Sequence, residues 1–188
     1  MFITIREIID IVIMTLAIGF IFSRIFKKKP SYTDPVQYYL NKSNFIDDLK
    51  YGVTIAAPAI VLHELSHKFM AMAFGAEAVL HAPLTIYIIA IILLLANFPI
   101  VFFVGGYVSI IGQLTNWQDA LVSVAGPLTN LILWGICILL VKHNIIKKNH
   151  YDLLLMAKLN MFLFGFNMIP IPGFDGWNFF TAIIRMFI

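Results

Sequence analysis

The sequence predicts an all-α, polytopic membrane protein with about four to five transmembrane helices and one short β-hairpin. Of its 188 residues, 61% are hydrophobic and 12% are charged, which excludes an ordinary soluble domain with its larger charged fraction. The net charge of +3 is modest, and the lysines stand beside apolar runs, which is typical of membrane flanks and not of a nucleic-acid-binding surface. The chain has one cysteine, Cys137, so an internal disulfide framework is excluded.

The first apolar run covers residues 8–26 and is followed by three lysines at positions 27–29. No small-residue cleavage pattern follows this run, so a retained anchor helix is favoured over a removed signal peptide. Residues 30–50 are polar and mixed in charge, which predicts a surface linker. The sequence therefore divides into an N-terminal anchor helix and polar linker over residues 1–50 and a transmembrane core over residues 51–188.

Two further apolar runs follow the linker. Residues 51–74 would extend about 36 Å as a helix, which is enough to cross a bilayer, and Gly75 is a natural helix stop. Residues 84–98 would reach about 22 Å before Pro99, which is marginal for a crossing. Whether this third run spans the membrane or turns back stays open.

The second half of the core is predicted to contain a hairpin and two more helical segments. Two β-prone runs, 101–104 and 107–110, flank the pair Gly105-Gly106, which predicts the β-hairpin. A helix should follow over residues 120–141, with a kink or a restart at Gly126-Pro127. The last apolar segment begins near Tyr151 and resumes at Trp177 after a break. The residues that break it are Pro170, Pro172 and Gly173.

Residues 63–67 read His-Glu-Leu-Ser-His and lie near the middle of the second apolar run. Two histidines four residues apart project from one face of a helix, as two imidazole ligands of one metal ion require. Glu64 lies between them and can take a proton from a metal-bound water. The alternative is a helix whose two histidines hydrogen-bond to neighbouring helices. Lys68, the next residue, is expected to snorkel or to pair with an acid.

A catalytic zinc usually takes three protein ligands and a water, so a third donor is required. Asp175 is the strongest candidate, because an acid in this apolar neighbourhood needs a partner and the broken backbone around it suits a wet cavity. His81, His143 and His150 are candidates by residue type, but their places at helix ends and in a lysine-rich loop favour interfacial or solvated side chains. The alternative for Asp175 is a cap on the helix that resumes at Trp177.

Three motifs in this order resemble the site-2 protease family of zinc intramembrane proteases. The first is the His-Glu-Leu-Ser-His segment, the second is Ala-Gly-Pro-Leu-Thr-Asn at residues 125–130, and the third is Asn-x2-Pro-x-Pro-x2-Asp-Gly at residues 167–176. The resemblance covers about residues 52–185. Unlike many members, this chain has no room for a PDZ or CBS domain, and residues 84–98 resemble an insertion relative to compact members.

The resemblance implies one Zn²⁺ ion per chain, held by His63, His67 and Asp175. It implies that Glu64 is the general base and acid, and that Asn167 holds the substrate or the developing oxyanion. Asn130 is carried over only as a packing or hydrogen-bonding residue.

Together these features predict an intramembrane zinc metalloendopeptidase that hydrolyses transmembrane substrates by regulated intramembrane proteolysis. It would be a multi-pass protein of the cell membrane, with the lipid bilayer and a transmembrane protein substrate as partners and no nucleic acid. Two alternatives stay open: a membrane divalent-metal-binding protein or transporter that uses the same ligands, and a protease-like protein without activity. The lysines at 27–29 favour a cytoplasmic first loop, whereas the geometry of the family places that loop outside.

Overall fold

The computed structural model describes residues 3–26, 44–98, 105–146 and 149–188, which form six helices and two short strands. In chain order these are α1 (Ile5–Ile25), α2 (Phe45–Ala73), β1 (Glu77–His81), α3 (Leu84–Leu95), β2 (Tyr107–Ile111), α4 (Asn116–Lys142), α5 (His150–Asn167) and α6 (Asp175–Ile184). The predicted class, mostly helical with a small β-structure, is confirmed.

Helix α2 begins earlier than the sequence predicts. Its first turn contains Asp47 and Asp48, and acidic side chains stabilise the N-terminal end of a helix through its dipole. The helix therefore starts at Phe45, inside the segment predicted as linker. It ends just before Gly75, whose φ of 84° favours glycine, as the predicted stop requires.

Helix α4 runs without interruption through Gly126 and Pro127, so the predicted restart at this pair is wrong, and the alternative of a kink stays a prediction. Pro127 removes one backbone donor. A helix in apolar surroundings nevertheless retains its remaining backbone hydrogen bonds, because no water can replace them. The helix also starts before the predicted residue 120, since Gln118 accepts a hydrogen bond from the backbone N–H of Thr115 at 2.9 Å.

The two strands pair antiparallel, with Glu77 opposite Ile111 and His81 opposite Tyr107. The second β-prone run therefore forms a strand, β2. The first run, residues 101–104, lies outside the described residues, so the predicted hairpin stays a prediction. The described partner of β2 is β1, which the sequence does not predict because its five residues include alanine and glutamate, which are poor strand formers.

Helix α1 packs along α2 at a close contact between small residues. A Cβ on Gly52 would overlap the backbone of Gly19 and lie 2.7 Å from the backbone nitrogen of Ser23. Small residues at such a contact let two helix backbones approach closely. Met14 and Ile18 of α1 are fully buried in the core that this contact creates. On the other side of α2, α4 packs against α2, α5 and α6. The division of the chain at residue 50 stays a prediction.

Two of the helices in the described part of the chain are long and apolar enough to cross a membrane: α1, with 21 residues, and α4, with 27. At 1.5 Å per residue, α1 would extend about 31 Å, close to the thickness of a hydrocarbon core. Helix α3 has 12 residues and would reach only about 18 Å, too short for a straight crossing. The predicted four to five spanning helices are thus not confirmed.

Gly52→Ala should force α1 away from α2, because the added Cβ meets backbone atoms that cannot move aside as a side chain can. We expect a loss of about 1–3 kcal/mol in the free energy of unfolding, measured by denaturant titration in detergent micelles. Gly165→Ala is the matched control, since nothing lies within 4 Å of a Cβ built there. A midpoint for Gly52→Ala no lower than that of the wild type would contradict this contact.

Candidate metal centre

Helix α2 and the start of α6 bring three metal-ligating side chains together. His63 and His67 lie one turn apart on α2, with their Nε2 atoms 3.1 Å from each other. The Oδ2 atom of Asp175 lies 3.0 Å from the first Nε2 and 3.3 Å from the second. Both histidines are buried and Asp175 is half-buried. The residues predicted as ligands therefore form one cluster, whose donor atoms all lie within 4.8 Å of one another.

In each imidazole ring, Nδ1 points away from the cluster and lies within hydrogen-bond distance of an oxygen acceptor. His67 Nδ1 lies 2.7 Å from the carbonyl oxygen of Val122, and His63 Nδ1 lies 2.7 Å from Oδ1 of Asn130. The Asn130 amide can present only its oxygen here, because its Nδ2 donates to the carbonyl of Ala59 at 2.9 Å and to Asn160 at 3.0 Å. Each neutral ring therefore carries its proton on Nδ1, which leaves the Nε2 lone pair free.

This assignment creates a need for a cation between the three donors. With both rings neutral, neither Nε2 has a hydrogen to donate to the Asp175 carboxylate, so three electron pairs converge between the helices and repel one another. A tetrahedral zinc ion with bonds of about 2.0–2.1 Å would place its ligand atoms about 3.3–3.4 Å apart, close to the observed separations. Two imidazoles and one carboxylate also suit zinc chemically and leave one coordination position for water. The side chains present fit the expected metal.

Gly126 allows α4 to approach the imidazole pair. A Cβ at this position would overlap the Nε2 atoms of both His63 and His67. One turn later on the same helix, Asn130 is fully buried, and its Oδ1 accepts a hydrogen bond from Nδ1–H of His63. The Ala-Gly-Pro-x-x-Asn segment thus combines a close approach with an acceptor for a ligand. The sequence shows that this segment resembles a family motif, but it does not show that Gly126 allows the close approach while Asn130 accepts the hydrogen bond.

The backbone before α6 turns Asp175 towards α2. Gly173 has a φ of 98°, which favours glycine, and Phe174 is extended at the N-cap position. A Cβ on Gly176 would overlap the backbone of Met168, so the loop from α5 folds tightly against the start of α6. Asp175 is the first residue of α6 and Phe174 is its N-cap, so the capping alternative for Asp175 is wrong; its Oδ2 atom faces the two imidazoles.

Glu64 is buried beside the ligands and lines the same cavity. The glycine pair that precedes β2 packs against it: a Cβ on Gly105 would lie 3.1 Å from Oε1 of Glu64, and one on Gly106 would lie 3.2 Å from its Cγ. Tyr87 of α3 holds this pair, since its hydroxyl donates to the carbonyl of Gly105 at 3.2 Å. The sequence gives no signal for Tyr87, because it lies within a run that reads only as apolar.

The cavity has a volume of about 490 Å³ and is lined by the ligands, Glu64, β2 and the end of α5. Asn167, the last residue of α5, lies in its wall. The side of the cavity towards α4 is formed by Asp119, Val122 and Ser123. The three ligand candidates, Glu64 and Asn167 therefore share one cavity.

The other histidines lie apart from the cluster. His81 stacks on Tyr107 across the sheet, with ring centroids 5.1 Å apart. Neither His143 nor His150 belongs to a metal-ligating group, and within the described ranges the cluster at Asp175 is the one such group. The exclusion of these three histidines as ligands stays a prediction.

Lys68 pairs with an acid that the sequence analysis does not identify. Its partner is Glu7 in the first turn of α1. The local signal for Glu7 is the Thr4-x-x-Glu7 spacing of a capping box, which predicts a helix start but says nothing about a distant partner. We call these two residues the Glu7–Lys68 pair.

Comparison with known proteins gives relatives but no fold template: no protein-family model and no solved structure matches the chain. A protein of Methanocaldococcus jannaschii, named "Putative zinc metalloprotease MJ0611", is 34% identical over 191 residues, which covers 96% of this chain and 90% of the relative. The chain belongs to this zinc metalloprotease family. A second protein of the same organism, named "Zinc metalloprotease MJ0392", is 33% identical over 128 residues. That match covers 67% of this chain and 32% of the relative.

Membership in this family confirms the coarser part of the sequence prediction. The relatives are named zinc metalloproteases, and the cluster of two imidazoles and a carboxylate gives this chain a site for Zn²⁺. The predicted metalloprotease class and the predicted zinc cofactor are thus confirmed. The two apolar helices are consistent with membrane association.

Asn130→Leu should lower zinc affinity about 10–100-fold, because His63 loses the acceptor that fixes its ring and keeps its proton on Nδ1. The measurement is competition with a chromophoric chelator on the purified protein in detergent. Asn116→Leu is the control on the same helix, since Asn116 is exposed and its Nδ2 donates to the backbone carbonyl oxygen of Arg185, away from the ligands. An unchanged affinity in Asn130→Leu would show that the amide does not support the ligand.

Gly126→Ala should abolish zinc binding at metal concentrations that saturate the wild type, since its methyl group would occupy the space of both Nε2 atoms. Alanine is a better helix former than glycine, so the loss cannot come from α4 itself. Gly135→Ala on the same helix is the matched control, because a Cβ there meets nothing within 4 Å. Metal per chain by atomic emission, together with helical content by circular dichroism, separates ligand displacement from unfolding. Full zinc occupancy in Gly126→Ala would refute this packing.

Proposed function

We propose that the protein is an intramembrane zinc metalloendopeptidase of the site-2 protease type that cuts transmembrane protein substrates. The observation that carries this proposal is the convergence of His63, His67 and Asp175, with both imidazole protons committed elsewhere, beside the carboxylate of Glu64 in one cavity. Membership in a zinc metalloprotease family supports peptide-bond hydrolysis. The apolar character of the helices around the site supports its location within the bilayer.

His63, His67 and Asp175 would hold the zinc ion. When bound, zinc polarises the scissile carbonyl and lowers the pKa of a coordinated water towards about 7. Glu64 then takes the proton of the attacking water on its carboxylate and later delivers it to the leaving amine, so one group serves as base and acid. Its position between the two histidines on α2, inside the same cavity, supports both steps.

Asn167 would bind the substrate or the developing oxyanion. Its place in the cavity wall at the end of α5 lets its amide donate a hydrogen bond to an oxygen inside the cavity. A fixed donor of this kind stabilises the charge that develops as the tetrahedral intermediate forms.

The edge of β2 that faces away from β1 would hold the substrate as an extended strand. The backbone groups of Ala78 and Leu80 on β1 point away from β2, because they bind side chains of α1 and α2. Their antiparallel partners Ile110 and Val108 therefore direct their own N–H and C=O groups to the opposite edge of the sheet, and both residues line the cavity. A substrate helix must unwind before it is cut, and pairing with this edge would satisfy its exposed backbone groups.

This function places the protein in the cell membrane as a multi-pass protein, with the bilayer and a transmembrane substrate as its partners and no role for nucleic acid. The lengths of α1 and α4 support a crossing of the bilayer by each helix. The modest net charge of +3 supports the exclusion of nucleic acid as a partner. Such a cut would be one step of regulated intramembrane proteolysis.

Glu64→Gln should retain zinc but lose proteolysis by about 10²–10⁴-fold, because the amide cannot accept the proton of the attacking water. The assay is cleavage of a single-span substrate co-reconstituted with the protease in liposomes, with zinc content measured on the same samples. Glu77→Gln is the control, since Glu77 is exposed at the start of β1.

Two results would argue against the protease proposal in this assay. Cleavage by Glu64→Gln at the wild-type rate would remove Glu64 from the chemistry. Zinc flux into the liposomes by the wild type, without any cleavage, would favour the transporter alternative.

A further inference from the structure

The Glu7–Lys68 pair is the most deeply buried pair of opposite charges in the described part of the chain. Each residue is 1% exposed. Removing two charges from water is costly unless their hydrogen-bonding capacity is met. Lys68 also stands four residues after Glu64, so both side chains project from the same face of α2. The pair therefore lies on the side of α2 that carries the general base, and the proposed chemistry does not use it.

Both members of the pair bind the backbone of β1. Lys68 Nζ donates to the carbonyl oxygen of Ala78 at 3.0 Å, and the N–H of Leu80 donates to Oε1 of Glu7 at 2.9 Å. The second carboxylate oxygen of Glu7 accepts the N–H of Thr4 at 2.8 Å. The backbone N–H and C=O groups of successive residues in a strand point to opposite edges, so those of Ala78 and Leu80 point to the same edge. This is the edge of β1 that does not face β2.

This edge needs a partner for two physical reasons. A sheet of two strands is marginally stable by itself. In apolar surroundings an unpaired N–H or C=O group costs several kcal/mol, because no water can bind it. An ammonium group and a carboxylate, placed on alternate residues of β1, supply the donor and the acceptor that a third strand would have supplied.

The position of β1 in turn determines where the glycine pair meets Glu64. β2 is held in place by its antiparallel pairing with β1, and Gly106 directly precedes β2. A Cβ on Gly106 would lie 3.2 Å from Cγ of Glu64 and 3.2 Å from the carbonyl oxygen of His81 at the end of β1. The backbone at Gly106 is thus packed between the general base and the strand that the pair holds.

We propose that Glu7 and Lys68 form a buried cap on the outer edge of β1, and that this cap positions the sheet, with the β2 residues that line the cavity, beside Glu64. The two residues are positioning residues and do not touch the reacting atoms. The proposal rests on the proposed function, because it takes β2 as the place where the substrate is held. It gives α1 a second role besides packing: its first turn supplies one half of the cap.

The cap differs from an ordinary ion pair because each of its two residues also binds a particular backbone group of β1. The carbonyl of Ala78 requires a donor at position 68, and the N–H of Leu80 requires an acceptor at position 7. A pair of glutamines meets both requirements without charge. A pair of methionines meets neither, although it fills a similar volume and removes the cost of burying charge.

The test therefore compares Glu7→Gln/Lys68→Gln with Glu7→Met/Lys68→Met in the full-length, zinc-loaded protein in liposomes. Three readouts are measured: zinc per chain, kcat and KM for a single-span substrate, and amide hydrogen exchange of the β1 segment. The glutamine pair should match the wild type in all three. The methionine pair should keep its zinc, but KM should rise and β1 exchange should accelerate, each by about tenfold, as the loss of a buried hydrogen bond implies.

Each outcome decides the proposal. Wild-type KM and exchange in the methionine pair would overturn it, and so would a glutamine pair as impaired as the methionine pair. If the methionine pair fails to fold while the glutamine pair folds with protected β1 amides, the requirement for a donor and an acceptor is supported. The exchange readout needs no substrate, so a wild type that cleaves nothing would refute the proposed function while the cap is still tested.

Discussion

The close approach of α4 to α2 at Gly126 is the contact on which the metal centre depends. On either side of Gly126, α4 supplies the hydrogen-bond acceptors for both imidazoles. The carbonyl of Val122 accepts from Nδ1 of His67, and the amide oxygen of Asn130 accepts from Nδ1 of His63. Those acceptors reserve both Nε2 lone pairs for a cation. A side chain at Gly126 would separate the helices, and the rings would lose their acceptors and their fixed orientation together. The metal centre is therefore a property of the helix–helix contact as much as of the ligands.

Buried polar contacts join elements that are distant along this apolar chain. Asn130 and Asn160 join α4 to α5, and the Glu7–Lys68 pair joins α1, α2 and β1. A third contact joins α2 to α5, where the hydroxyl of Tyr51 donates to Asp152 at 2.7 Å. Apolar side chains can pack against lipid or against one another with little difference in free energy, so polar partners select which helix faces meet. The Asn130 amide shows the principle most directly, because its three hydrogen bonds fix its orientation.

Local sequence accounts for most of the helices and for little of the sheet. The apolar runs give α1, α5 and the end of α2 to within a few residues, because run length and breaking residues act along the chain, whereas the start of α2 lies inside the segment predicted as linker. The break before α6 follows from its prolines and Gly173, which prevent a continuous helix. β1 is different, because five residues of mixed propensity form a strand only when β2 and the Glu7–Lys68 pair lie beside them. Continuity of α4 through Pro127 also depends on its surroundings and not on the residue itself.

The order of residues was enough to place His63 and His67 on one helical face and to mark Asp175 as an acid in need of a cation, because helical spacing and the cost of buried charge are local properties. It could not tell which ring nitrogen carries the proton, which acid pairs with Lys68, or which strand of the sheet lines the cavity. Those features arise where α1, α2, α4 and the sheet meet, and each depends on a hydrogen bond between residues far apart in the chain. The fold had to form before the chemistry of these groups was defined.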